Sequence, residues 1–156
     1  MFTRLATYAL AVIVLLPETV LGIAQQSGSA GDARAMLDRA VIALKANEAD
    51  ALRAFNDKSN EKYHDRDLYV FCFNVTDGEF RAHANPALIG TDARATRVGN
   101  DPVGQRIFDT IKNAAEETIS TVEYAAPKPG TTQPPVPKES FVTPINGLGC
   151  GVGYYK

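Results

Sequence analysis

Tryptophan is absent from this 156-residue chain, and histidine and cysteine occur twice each. Neither His64 nor His83 has a His or Cys neighbour at ligand spacing, which argues against a structural zinc site. No Gly-x-Ser-x-Gly elbow is present, so the commonest signature of a serine nucleophile is missing. No run of Lys and Arg occurs and no basic stripe interleaves with aromatics, which removes the footprint of a nucleic-acid binder and weakens any case for anionic lipid. Glycine alternates at Gly147, Gly149, Gly151 and Gly153, but no helix follows, so this is no phosphate loop. Its expected meaning is close approach of another backbone or of a ligand. The carboxylate pairs Glu116-Glu117 and Asp65-x-Asp67 read as solvated surface, and Asn74-Val75-Thr76 matches a glycosylation acceptor only as chance would supply it.

What is present suits one domain, with 45% hydrophobic and 22% charged residues and a formal charge of −2. Arg4 precedes an apolar run from Leu5 to Leu16, Pro17 breaks it, and Gly22-Ile23-Ala24 follows with small residues. That pattern is a secretory signal peptide over 1–24, shorter than the roughly 20 apolar residues of a spanning helix. Residues 25–31 form a flexible segment and 32–156 the folded domain. After cleavage no stable membrane span is expected, and the location is periplasmic or secreted.

Asp32 is read as the cap of a long helix whose stripe Leu37, Val41, Leu44, Ala51 and Phe55 ends near Asn56-Asp57. Residues 58–66 read as a polar connector. Strands follow at about 68–75 and 79–84 around Asp77-Gly78. A two-residue turn there would set Phe73 opposite Ala82 and Cys72 opposite His83. Phe71, Phe73 and Val75 would then face the helix, and Arg81 and His83 would point away; a bulge would undo this. A long connection at 85–103 leads to a helix at 104–117 and a strand at about 119–126. The proline-rich 127–137 is a loop that cannot be a central strand. Strands at 138–145 and 148–155 flank Asn146-Gly147. The class is α+β: a long N-terminal helix on five antiparallel strands, with a loop and helix crossover after strand two.

Long ordered loops tend to serve function, and Arg81 with His83 beneath such a loop would suit a small carboxylate. For Cys72 and Cys150 two readings stand: a disulfide in an oxidising compartment, or two small buried hydrophobes.

Phe55-Asn56-Asp57, Asp67-Leu68-Tyr69-Val70-Phe71, Asp77-Gly78, Ala82-His83-x-Asn85-Pro86-x-Leu88-Ile89-Gly90, Asp101-x-x-Gly104, Pro137-Lys138 and Gly151-Val152-Gly153-Tyr154 together resemble the single Cache domain, type 2. That family is a bacterial extracytoplasmic sensor module with a PAS-like sheet, and its usual ligands are small organic acids. The resemblance implies that strand one lies beside the last strand, which brings Cys72 near Cys150 and favours the disulfide. It also implies a ligand site drawn from Arg81, His83, Asn85, Arg97, Tyr124, Lys138 and Phe141, with no catalytic residue, cofactor or metal. The function expected is ligand sensing without a transmitter of its own, the ligand state passing to a membrane-bound receptor or kinase. Two rivals are a periplasmic thiol or metal protein using Cys72, Cys150 and His83, and a structural interaction domain with a vestigial pocket.

Overall fold

The structure, a computed structural model, describes residues 27–129 and 131–156, so the signal-peptide segment lies outside the described residues. Helix α1 spans Ala30–Ala46. Its cap is Ser29 rather than Asp32: the Ser29 hydroxyl accepts the Asp32 N–H while the Asp32 carboxylate accepts the Ser29 N–H, a reciprocal box that satisfies two orphan donors. The single long helix is in fact two. Asn47 has extended backbone, its N–H closes α1 on the Ala43 carbonyl, and its side chain accepts the Asp50 N–H to open α2, Glu48–Asn56. An Asn side chain competes with the helix ladder for backbone donors, which is why the break falls there.

The strands are β1 His64–Asp65, β2 Leu68–Asn74, β3 Phe80–Ala82, β4 Ser120–Ala126, β5 Val136–Ile145 and β6 Leu148–Tyr155, with helix α3 at Val103–Asn113. The sheet order is β1-β2-β6-β5-β4, with β3 also on β2 and every pairing antiparallel. Six strands thus stand where five were expected, because β1 forms inside the stretch read as a polar connector. Asn146 and Gly147 both take positive φ, the two-residue turn that their dipeptide calls for. Val136 and Pro137 belong to β5 rather than to the proline loop. Pro137 has no N–H to give, but its carbonyl accepts the Lys156 N–H at 3.0 Å.

The first hairpin departs from its expected register. Cys72 faces Ala82 and Phe73 faces Phe80, with an irregularity between the two pairs. The Asn74 side chain causes this by accepting the Thr76 and Asp77 N–H groups, which draws the chain into a wider turn closed by Asn74 N–H on the Glu79 carbonyl. The faces are reversed as well. Leu68, Val70 and Cys72 pack under α1 with Leu37, Leu44, Phe55 and Cys150, whereas Phe71 and Phe73 pack on the other side with Phe108 and Ile111 of α3. Both faces of β2 are covered, so an apolar face did not by itself point to α1.

Glycines of β6 make this second layer fit. A Cβ on Gly151 would stand 2.5 Å from the Phe71 ring and 2.8 Å from the Phe141 carbonyl oxygen. The carbonyl is backbone in the adjacent strand and cannot yield. Gly151→Ala is therefore expected to cost about 2 kcal/mol by overpacking, read as a shift of the urea midpoint with an unchanged slope. A loss under 0.5 kcal/mol would show that β5 and β6 part readily at this point.

Candidate functional site

Between the sheet and the segment from His83 to Ile107 lies a cavity of about 250 Å³. The antiparallel registers put Tyr124 opposite Lys138 and Lys138 opposite Tyr155, so these three residues form one row across β4, β5 and β6. The row makes the polar end. Lys138 is only 4% exposed, and its Nζ stands 4.5 Å from the Tyr155 ring centroid and 5.3 Å from that of Tyr69. None of the ion pairs among the described residues involves it. Burial pushes its pKa down from 10.5 to about 8, and the nearby Asp67 charge opposes that fall. Asp67 accepts the Gly28 N–H through Oδ1, while its buried Oδ2 has no hydrogen-bond partner among the described residues.

The tyrosines are held or buried as neutral phenols. Tyr155 donates to the Pro127 carbonyl at 2.6 Å, Tyr124 shares a 2.9 Å hydrogen bond with Ser140, and burial pushes the Tyr69 phenol well above its usual range. His83 sits edge-on to the rings of Tyr69 and Phe80, and its Nδ1 accepts the Asn85 N–H at 2.9 Å. Burial first, and the Lys138 charge second, lower its pKa to about 4. At neutral pH the ring is uncharged, and with Nδ1 accepting, Nε2 carries the proton as a donor. Beyond this polar end the walls are apolar: Phe71, Phe73, Phe80, Val103 and Ile107 among them.

Of the seven residues expected at the site, His83, Tyr124 and Lys138 line this cavity and the other four do not. Arg81 turns to Asp77 and Glu79, at 2.6 and 3.2 Å, because the wider turn folds those acids back beside it. The Asn85 side chain accepts the Ala87 N–H and opens the 3₁₀ turn Pro86–Leu88. Arg97 is exposed. Phe141 stacks on Tyr154 at 5.7 Å and packs with the α1 cluster, since strand alternation puts it on the face opposite Lys138. Tyr69 and Tyr155 were not anticipated. Tyr155 was within reach, because the Asn146-Gly147 turn fixes it opposite Lys138.

Cys72 and Cys150 are joined in a disulfide beneath α1, across the sheet from the cavity. Neither is a free thiol, and they do not converge with His83. Among the described residues no group of His, Cys, Asp and Glu is arranged to hold a metal ion, and no helix is long and apolar enough to cross a membrane.

A sheet backed by an N-terminal helix, with a loop-covered cavity on its far face, is the architecture of extracytoplasmic sensor domains. Solved structures bear this out. A periplasmic sensor domain of a chemotaxis protein is 26% identical, with a TM-score of 0.56 over 78% of this chain and 86% of that one. A methyl-accepting chemotaxis protein from Vibrio parahaemolyticus is 17% identical, with a TM-score of 0.59 over 80% and 86%. A Cache chemosensory domain, described for its carboxylic acid recognition, is 22% identical with a TM-score of 0.56 over 77% and 83%. The fold is that of chemoreceptor sensor domains, Cache domains among them. No protein-family model matches the sequence, and no curated protein matches it.

Proposed function

We propose that this protein is a periplasmic sensing module that binds a small organic acid in the cavity between β2 and α3, without catalysis. The observation that carries the reading is Lys138: a buried ammonium at the polar end of a largely apolar cavity, with no carboxylate at ion-pair distance among the described residues. Burying a charge without a partner is costly, and an incoming carboxylate removes that cost. The His83 Nε2–H and the Tyr69 hydroxyl supply neutral donors for the second carboxylate oxygen.

Sensing also needs a route out of the site. Asp67 supplies one, since its charge acts on Lys138 while its Oδ1 holds the Gly28 N–H at 2.6 Å, at the root of α1. An anion arriving at Lys138 changes the field on the group that holds that root. The ligand state then passes to a membrane-bound receptor or kinase.

A thermal-shift screen of C2 to C10 carboxylates, aromatic acids included, tests the reading. A ligand present at 100 times its dissociation constant stabilises by about 2.7 kcal/mol, a rise of several degrees. Silence across the panel would overturn carboxylate binding and favour an interaction domain with a vestigial pocket.

A further inference from the structure

We propose that the ligand is a monocarboxylate with an apolar tail of about five to eight carbons, an aromatic ring included, and not a di- or tricarboxylate. The inference rests on the carboxylate reading above and deepens it, and three observations carry it.

The first is the count of charges. Lys138 is the one cationic side chain among the described lining residues. Arg81, Arg94 and Arg106 are committed to Asp77, Asp92 and Asp101, while Arg97 and Lys128, each flanked by lining residues, are exposed; the Lys128 Nζ stands 5.6 Å from the Tyr155 ring centroid and donates to the Ser27 hydroxyl. His83 is neutral at pH 7, its pKa lying near 4. A second carboxylate would therefore be buried without a counter-charge, which disfavours dicarboxylates strongly.

The second is the direction of the polarity. Along β2 the side chains facing the cavity run Tyr69, Phe71, Phe73, and Lys138 Nζ lies at the Tyr69 end. At about 3.3 Å per residue, Tyr69 to Phe73 spans roughly 13 Å. Over that length the wall passes from Tyr124, Lys138 and Tyr155 to Phe73, Phe80 and Ile107. The site is thus an amphipathic slot, with a charged head position at one end and an aromatic and aliphatic trough beyond it.

The third is the volume. An apolar cavity of about 150 Å³ is known to take a benzene-sized molecule. The cavity of about 250 Å³ therefore has room for such a ring and a carboxylate. Acetate would occupy the head position and leave the trough to water that finds few partners there.

Isothermal titration of the folded, oxidised protein at pH 7 decides the matter, with acetate, butyrate, hexanoate, octanoate, dodecanoate and phenylacetate compared with succinate and hexanamide. Each added methylene should tighten binding about fourfold, the equivalent of about 0.8 kcal/mol, so that hexanoate exceeds acetate by roughly 200-fold. Affinity should then fall at dodecanoate, and succinate should bind at least tenfold more weakly than butyrate. A flat series, or succinate or acetate as the tightest ligand, would overturn the tail and leave the carboxylate reading standing. Hexanamide binding as tightly as hexanoate would instead sink the carboxylate head, and with it the proposed function.

Discussion

Removing the Cys72–Cys150 bond is expected to lower the unfolding free energy by about 4.5 kcal/mol, with a fall in Tm on the order of 15 °C. The bond joins positions 78 residues apart in sequence, and in the chain-entropy view a loop of that length is one the unfolded chain gives up at considerable cost. Both residues are fully buried and face each other across the two strands that anchor the sheet, the first long strand and the last. The measurement is chemical denaturation of the oxidised protein beside the Cys72→Ala/Cys150→Ala variant, and beside the wild type under reductant. Ligand binding should survive in the variant below its Tm, because the bond lies with α1 and the cavity lies across the sheet. A loss under 1 kcal/mol would mean that β2–β6 pairing alone holds the ends together. Weakened ligand affinity at low temperature would mean that the two faces are coupled through the bond.

How far the sequence reached can be judged from individual elements. The turn at Asn146-Gly147, the α3 helix and the last three strands were legible because each depends on local chemistry: positive φ, a helical stripe, alternation. The first hairpin was not, although Asp77-Gly78 is as strong a turn signal. There the outcome was decided by a side chain outside the dipeptide, Asn74, which takes two backbone N–H groups and lengthens the loop. The faces of β2 failed for another reason. Tyr69, Phe71 and Phe73 on one side and Leu68, Val70 and Cys72 on the other are both apolar, and periodicity cannot say which of two helices each will meet. At the site, Tyr124 and Lys138, which the resemblance implied, meet because the β4–β5 pairing sets them opposite each other, and His83, read from the hairpin, lies just past β3 against Tyr69. Phe141 was misplaced through parity, which sets it on the opposite face from Lys138. Arg81 was misplaced because a cation beside two acids on the same turn is neutralised locally.

Lys138→Met is expected to weaken carboxylate binding by about 150-fold, close to 3 kcal/mol, while leaving the unliganded protein as stable as before or slightly more so. Methionine keeps the length of the stem against Tyr69 and Tyr155 and removes the desolvated charge. Some of the gain is offset because the Asp67 charge then loses the cation it acts on. The pH dependence sharpens this expectation. In the folded protein the Lys138 pKa lies near 8, below the 10.5 of an ordinary lysine. From pH 8 to about 9 the unfolded chain holds the Lys138 proton that the native one releases, so the stability of the unliganded protein should rise with pH there; nearer pH 10 the phenols of Tyr69, Tyr124 and Tyr155, whose pKa values are raised by burial, act with the opposite sign. Carboxylate affinity should move the other way, falling up to tenfold per unit above pH 8 as the ammonium is lost. His83 gives the same sign of stability change in a separate window, between its native pKa of about 4 and the ordinary 6.5, with stability lost as pH falls through that range. Opposite slopes of stability and affinity above pH 8, both abolished in Lys138→Met, would identify one buried ammonium as the source of each. An affinity that stays constant from pH 7 to 9.5 would mean that the carboxylate is held by neutral donors, and that Lys138 remains charged for some other partner.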